Sequence, residues 1–191
     1  MKFFTSDLHV KHKNIVKFTN RGVETTQENH ENWLREVWNR QVKAGDLVYH
    51  LGDFSFSNDI DYLSDYINSL NGQKIFMRGN HDRRETFDAL VERGVVAAWY
   101  DYKEIEMKDQ KYKTVLFHFP IGSWHKQARG SIHLHGHSHG NYLNSRGRML
   151  DVGIDNAYLL YGEHRFFTED KIVKSMKDQP IYISDHHREN V

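Results

Sequence analysis

The sequence predicts one domain of mixed α and β structure, in which helices cover a parallel sheet. In the first half of the chain, short apolar runs alternate with amphipathic helical stretches, the pattern of a parallel α/β sheet. The second half contains further β-like segments with few helices between them. A chain of 191 residues, 38% hydrophobic and 27% charged, has the size and composition of one globular domain. It has two prolines and no low-complexity tract, so we expect residues 1–191 to form a single domain.

Three apolar segments of the first half are expected to be buried strands, and each is followed by polar residues. The segments are Phe3–Phe4, Leu47–Leu51 and Lys74–Met77. The polar groups after them are Thr5-Ser6-Asp7, Gly52-Asp53 and Gly79-Asn80-His81-Asp82. Open α/β sheets bind ligands at the carboxyl ends of their strands, so these groups are candidates for a functional site.

Three helices are predicted in the same half. The first begins at Thr25, because Thr25 and Glu28 have the spacing of a capping box. Its buried stripe recurs at helical intervals and consists of Trp33, Leu34, Val37, Trp38 and Val42. The second helix is marked by a similar stripe and is expected to end at Gly72 as a left-handed cap; the stripe is Ile60, Leu63, Ile67 and Leu70. The third helix is expected from Arg84 to Arg93.

The second half is expected to be mainly β-structure. Tyr102–Met107 and Tyr112–His118 are predicted to pair as neighbouring strands, since only a short polar turn separates them. Ser131–His135 and Met149–Val152 continue the β pattern, and a late helix is expected over Glu169–Lys177.

The composition excludes several classes of protein. The 26 basic and 26 acidic side chains cancel, so no overall field attracts nucleic acid or an anionic membrane. There is no cysteine, which excludes disulfides, thiolate metal sites and a cysteine nucleophile. The amino terminus turns polar too soon for a signal peptide, and no segment approaches the roughly 18 apolar residues of a membrane helix. We therefore expect a soluble, cytoplasmic protein.

Histidine is unusually abundant, with 14 in the chain. His186 and His187 are interpreted as ordinary surface residues. The others of interest lie with acidic and amide residues after successive predicted strands: Asp7, His9, Asp53, Asn80, His81, His118, His137 and His139. Oxygen and imidazole ligands without sulfur suit manganese, iron, zinc or nickel. With one shared carboxylate, seven of these residues would hold two cations roughly 3.5–4 Å apart, which leaves one histidine over.

Each motif alone is weak evidence, because an aspartate after a glycine is usually a turn residue. Gly136-His137-Ser138-His139 is more specific, and the ordered set is the strongest indication. This set resembles the five sequence blocks of the calcineurin-like metallophosphoesterases. In this chain the blocks are Asp7-x-His9, Gly52-Asp53, Gly79-Asn80-His81-Asp82, His118 and Gly136-His137-Ser138-His139. The segments His118-Phe119-Pro120 and Gly130 to His135 are similar to those of small stand-alone bacterial and viral members. The resemblance implies a four-layer α/β/β/α sandwich of two mixed sheets flanked by helices.

The resemblance also implies roles for single residues. Asp7, His9 and His139 would bind one metal, Asn80, His118 and His137 would bind the second, and Asp53 would bridge them. A water or hydroxide between the metals would attack phosphorus in line. His81 would protonate the leaving alkoxide, and Asp82 would orient this site or serve as a structural turn residue. Manganese is the first choice of metal, with iron, zinc or nickel as alternatives.

The remaining histidine, basic and aromatic residues of interest have either a structural or a functional role. His133 and His135 are expected to pack behind the site, and His50 to be a hydrogen-bonded core histidine. His12 either lines the mouth of the site or plays no part in it. Basic residues that would contact a phosphate, unless they are simply solvated, are Arg83, Arg84, Lys126, Arg129 and Arg146. Aromatic residues that would stack on a nucleobase, unless they belong to the core, are Phe54, Phe56, Phe119 and Trp124.

The sequence departs from the protein serine/threonine phosphatases of the family. Ser6 and Val10 stand where those enzymes have glycines, and the arginine that would grip phosphate after Asp53 is missing. We therefore expect hydrolysis of a phosphodiester of a small or nucleotide-like substrate, with phosphomonoester hydrolysis as the alternative. A protein-binding scaffold of the same fold is a further alternative, disfavoured because all ligands are present. Nucleic acid is not favoured as a partner, and the oligomeric state is left open.

Overall fold

The computed structural model describes residues 1–22 and 26–183, which form nine strands, six α-helices and one 3₁₀ helix. The strands are β1 (Lys2–Thr5), β2 (Leu47–Leu51), β3 (Gln73–Met77), β4 (Ala98–Tyr100), β5 (Tyr102–Ile105), β6 (Thr114–Phe117), β7 (His133–His135), β8 (Met149–Asp151) and β9 (Phe167–Thr168). The helices are α1 (Ile15–Phe18), α2 (Gln27–Gln41), α3 (Ile60–Asn68), α4 (Arg84–Glu92), α5 (Ile154–Tyr161) and α6 (Glu169–Lys177), and the 3₁₀ helix covers Gln127–Arg129.

The strands form two mixed sheets. The first has the order β4-β3-β2-β1-β9, in which β1 to β4 are parallel and β9 is antiparallel to β1. The second has the order β5-β6-β7-β8, in which only the β5–β6 pair is antiparallel. The predicted pairing of the strands around residues 102–107 and 112–118 is observed. The carboxyl ends of the parallel strands are where the polar motifs begin.

Two apolar cores hold the layers together, and neighbouring residues of one strand serve different cores. Phe3 faces the core between the first sheet and helices α2, α3 and α4, whereas Phe4 faces the core between the two sheets. This alternation is the two-residue period of a strand that is buried on both faces. The outer face of the second sheet is covered by a smaller cluster around Trp124, next to the 3₁₀ helix. The predicted sandwich of two mixed sheets flanked by helices is confirmed.

The N-cap of helix α2 lies one residue later than the predicted capping residue, Thr25. Thr25 lies outside the described residues, and Thr26 is the N-cap, whose Oγ1 accepts a hydrogen bond from the Asn29 N–H at 3.2 Å. Leu34, Val37 and Trp38 of the predicted stripe are buried against the first sheet. Burial of each such side chain contributes about 1.5–3 kcal/mol, which fixes the helix on the sheet.

The prediction for Gly72 was wrong. Helix α3 ends at Asn68, four residues before this glycine. Gly72 has φ +80°, and an added Cβ would lie 2.8 Å from Val42 Cγ1 and 2.9 Å from the Asp46 carbonyl oxygen. Gly72 therefore allows the segment between α2 and β2 to pack closely against the chain just before β3, and helix α3 ends without it. Among the described helices, none has the length and apolar character needed to cross a membrane.

Candidate metal centre

All eight predicted site residues are positioned by strand ends at one edge of the two sheets. Asp7 and His9 follow β1, Asp53 follows β2, and Asn80 and His81 follow β3. In the second sheet, His118 follows β6, and His137 and His139 follow β7. The arrangement of the strands thus brings together side chains that are distant in the sequence, such as those of His9 and His139, which are 130 residues apart.

The backbone at this edge is strained. Five of the predicted ligands have left-handed φ values between +47° and +69°: Asp7, His9, Asp53, His137 and His139. Such conformations of non-glycine residues cost about 1–3 kcal/mol each and concentrate at functional sites. Two glycines of the motifs make room for them. A Cβ at Gly79 would collide with the Asp53 carboxylate, and one at Gly136 would collide with Ser6 and Asp7.

Two groups of side chains have the geometry to hold a metal ion. The first consists of Asp7, His9 and His139, whose ligand atoms all lie within 4.8 Å of one another. The Nε2 atoms of His9 and His139 are 3.2 Å apart.

The second group consists of Asp53, His118 and His137, again with ligand atoms within 4.8 Å of one another. The amide oxygen of Asn80 lies 3.1 Å from His118 Nε2 and 3.0 Å from His137 Nδ1, so it converges on the same point.

Asp53, a member of the second group, also lies beside the first group. Its Oδ2 atom is 3.9 Å from His9 Nε2 and 3.6 Å from His118 Nε2. One carboxylate oxygen therefore faces both groups at once.

The donor chemistry fits divalent cations. The seven side chains offer carboxylate and amide oxygens together with imidazole nitrogens and no sulfur. Asp7 is fully buried, and this burial raises the pKa of its carboxyl well above the ordinary value, against a smaller lowering by His139. Burial likewise lowers the pKa of His9, with a further lowering by the Arg21 charge, so this imidazole is neutral and able to ligate. A cation would offset the cost of the buried carboxylate.

The second ring nitrogens of two histidines are held from behind, which leaves Nε2 free for a metal. His118 Nδ1 lies 2.8 Å from the carbonyl oxygen of Leu51, and His139 Nδ1 lies 2.7 Å from Asp155 Oδ2. An oxygen acceptor places the proton on Nδ1 in both rings. For His139, burial lowers the pKa, but the Asp155 hydrogen bond and the charge of Asp7 outweigh it and raise the pKa overall.

Arg21 anchors this arrangement and was not singled out in the sequence. Its guanidinium donates to both oxygens of Asp155 at 3.0 and 2.8 Å and to the carbonyl oxygens of Asp7 and Leu8 at 2.7 Å each. A fifth bond, at 2.9 Å, goes to His30 Nε2. All five N–H groups are therefore used. Burial raises the pKa of Asp155, but the Arg21 charge and the His139 hydrogen bond lower it by more.

His81 is the exposed member of the constellation. Its side chain is 43% exposed, and its Nε2 lies 3.9 Å from Asp53 Oδ2. Its ring stacks on Phe56, with centroids 4.4 Å apart, and the edge of His12 meets Phe56 at 4.2 Å. His12 thus lines the mouth of the site, as one of the two interpretations had it. The imidazole of His81 is held beside the two groups and open to a ligand.

Asp82 organises the loops rather than facing solvent. Its Oδ2 accepts hydrogen bonds from the N–H groups of Asp53 at 2.7 Å and Gly79 at 2.9 Å, and its Oδ1 accepts one from Phe54 at 3.0 Å. Burial raises the pKa of Asp82 to about 7, against the lowering by these hydrogen bonds. The carboxyl joins the loops after β2 and β3 and so orients Asp53.

Of the other histidines considered in the sequence, those that the structure describes do not contribute to either group. His133 and His135 are buried in β7 outside both groups, with ring nitrogens within 3.3 Å of backbone carbonyls. His50 is fully buried, but both of its ring nitrogens lack a hydrogen-bond partner among the described residues, so the hydrogen-bonding part of its prediction was wrong. Burial lowers the pKa of His50 to about 3, with a small contribution from His118. His186 and His187 lie outside the described residues.

Of the four aromatic candidates, two belong to the core and two lie beside histidines of the site. Phe54 and Trp124 are core residues, whereas Phe56 stacks on His81. Phe119 packs 4.8 Å from the rings of His118 and His137.

Two of the basic candidates have protein partners. Arg84 pairs with Asp101 at 3.0 Å, and Arg146 donates to the hydroxyl of Tyr182 at 2.9 Å. Both arginines are thus engaged within the protein.

The fold is an α/β sandwich, and two Asp–His groups at one edge of its sheets could each hold a metal ion. The chain matches the family model of calcineurin-like phosphoesterases over residues 3–191 and belongs to that family. Membership supports metal-dependent hydrolysis of phosphate esters.

Several known proteins are similar to this chain. It is 33% identical over 161 residues to an uncharacterised protein, MJ1445, of Methanocaldococcus jannaschii, with 80% of this chain and 81% of that protein covered. It is 27% identical to the gene 66 protein of Mycobacterium phage L5 over 80% of this chain and 86% of that one. The crystal structure of AQ665 from Aquifex aeolicus, a protein of unknown function, shares the fold with a TM-score of 0.64 and 24% identity, over 92% of this chain and 98% of that one.

Proposed function

We propose that this chain, as one domain over residues 1–191, is a two-metal phosphodiesterase acting on a small or nucleotide-like ester. The position of Asp53 Oδ2, within 4 Å of a histidine from each group, is the main support, because a shared carboxylate is what joins two cations into one centre. Asp7, His9 and His139 would hold one cation, and Asn80, His118 and His137 would hold the other. Manganese is the preferred ion, with iron, zinc or nickel as alternatives.

The chain's own residues position the metal ligands and donate a proton to the leaving group. When bound, two divalent cations supply a water of lowered pKa and neutralise charge on the phosphoryl oxygens. His81, exposed and stacked on Phe56, donates a proton to the leaving oxygen as general acid. Asp82 keeps the loop of Asp53 in place through its three backbone hydrogen bonds.

The preference for a diester follows from charge. A monoester brings one more negative charge than a diester, and an arginine usually meets it. Arg21 stands behind His139, but all five of its N–H groups are already bonded within the protein. It therefore contributes no hydrogen bond to a phosphate.

The test is metal reconstitution followed by a matched substrate pair. Protein stripped with a chelator should be inactive and should recover with about two equivalents of Mn²⁺ per chain. We expect a higher kcat/KM for bis(nitrophenyl) phosphate than for nitrophenyl phosphate. A preference for the monoester would make the protein a phosphomonoesterase. Full metal loading without turnover of either ester would favour a scaffold of the same fold.

A further inference from the structure

A pocket of about 250 Å³ borders the candidate metal centre and shares His139 and Asp155 with it. Its other walls come from the end of α1 and the residues after it, from the loop after His139, and from α5 and the residues after it. Together with Thr19, they include Phe18, Asn20, Asn141, Tyr158, Leu159 and His164. No step of the proposed hydrolysis uses these side chains.

The chemistry of the walls is that of a site for an organic group. As residues, Phe18 and Leu159 are 75% and 64% exposed, which leaves two large apolar surfaces uncovered on one small pocket. The amides of Asn20 and Asn141 add donors and acceptors, and Asn20 Nδ2 already donates to the Tyr158 hydroxyl at 3.2 Å. Apolar walls with a few placed polar groups are typical of ligand pockets.

The pocket borders His139, whereas His81 lies beside Asp53 and is not part of the pocket wall. The ring of His9 is 5.8 Å from that of His81 and 5.1 Å from that of His139, so His9 neighbours both rings. Phe56 stacks on His81, whereas the pocket borders His139. A phosphoryl group held at the centre would thus have one ring-lined surface beside the general acid and another beside His139.

We infer that this pocket binds the organic group that remains on phosphorus during hydrolysis, and that this group is a planar heterocycle of the nucleobase class. The inference rests on the proposed function, since a monoester has only one organic group, which leaves. The volume is below the roughly 300–1,000 Å³ of pockets for whole ligands and suits one ring system. Phe18 offers a face for stacking, and the two amides can bond to the polar edge of a base.

The kinetic test uses two diesters with the same nitrophenolate leaving group, the nitrophenyl esters of thymidine 5′-monophosphate and of methyl phosphate. Only the retained group differs between them. The wild type should prefer the nucleoside ester in kcat/KM, and Phe18→Ala should reduce that ratio about 5- to 150-fold, mainly through KM. Phe18→Tyr should restore the ratio. Ile181→Ala, at an exposed apolar side chain beside Gly130, is the matched control and should keep the wild-type ratio.

A binding measurement separates this inference from the proposed function. Calorimetry on the metal-loaded protein should show that thymidine 5′-monophosphate binds more tightly than inorganic phosphate, and that Phe18→Ala abolishes the difference. Equal binding of the two ligands, or a kinetic ratio unchanged in Phe18→Ala, would overturn the subsite. Tighter nucleotide binding that depends on Phe18, without hydrolysis of either diester, would support the subsite and reject the phosphodiesterase.

Discussion

Asp155→Asn is the substitution that most directly tests how the metal centre is held. It keeps the size of the side chain but removes the charge that accepts the His139 Nδ1 proton at 2.7 Å. Loss of such a partner behind a metal ligand typically weakens metal affinity about 10- to 100-fold. We expect this loss for only one of the two equivalents, because His118 is held by the Leu51 carbonyl instead.

The same substitution has a separate cost in stability. Arg21 is fully buried as a side chain and would lose its ion-pair partner. Breaking a buried pair costs about 3–5 kcal/mol, and we expect the lower end because Arg21 keeps its bonds to His30 and to two carbonyls. Denaturant unfolding of the metal-free protein measures this term apart from metal binding.

The assay is a calorimetric titration of the stripped protein with Mn²⁺, with Asp65→Asn as the control. Asp65 is exposed on helix α3, and its variant should titrate like the wild type. The wild type should bind two equivalents, and Asp155→Asn should show one equivalent unchanged and one weakened. Two unchanged equivalents, or equal weakening of both, would refute the role given to Asp155.

Three further predictions concern single side chains. His81→Ala should keep both metals and lose about 10²–10⁴ in rate on an alkyl or nucleoside ester, but much less on a nitrophenyl ester, which leaves without a proton. Equal losses on both esters would show that His81 is not the acid. Asp53→Asn should weaken both metal equivalents in the same titration, and weakening of one alone would reject the bridge. His50→Leu should make the stability of the protein less sensitive to acid. Because the pKa of His50 is lowered to about 3 in the folded protein, the unfolded chain binds a proton below about pH 6.5 and the folded one does not. The wild type should therefore lose about 2 kcal/mol of its free energy of unfolding at pH 5 through this histidine, and the variant should not. Unfolding of the chelated protein at pH 7 and pH 5 measures the difference, and parallel losses in wild type and variant would contradict it.

Local patterns account for the part of the fold that was predicted. Strands β1, β2 and β3 are apolar runs followed by polar motifs, and α2 shows its buried stripe at helical intervals, so periodicity alone locates them. Short or edge elements leave no such pattern. Strand β9 has two residues, and α5 was not predicted at all. Their places are decided by tertiary packing against the second core, which contains Ala157 and Phe167.

The candidate site was likewise predictable only in part: its ligands were predicted, but the residues that support them were not. The ligands stand inside short motifs that follow strands, and the topology then brings them to one edge. The support behind them is not encoded locally, because Arg21 and Asp155 are 134 residues apart and each is an ordinary charged residue in the sequence. Only the approach of β1 to the start of α5 shows that the pair is buried and bonded to His139.

The two groups of candidate ligands are supported by different hydrogen-bond acceptors, a carbonyl behind His118 and a carboxylate behind His139. A carboxylate behind an imidazole raises its basicity more than a neutral carbonyl does, so His139 is the stronger donor and His118 the weaker. Leu51, which supplies that carbonyl, is the last residue of β2, and Asp53 follows two residues later. The end of one strand therefore positions both the shared carboxylate and a ligand of the second group. A change that shifts the end of β2 should weaken that group more, because it moves both Asp53 and the support of His118, whereas the other group is affected only through Asp53.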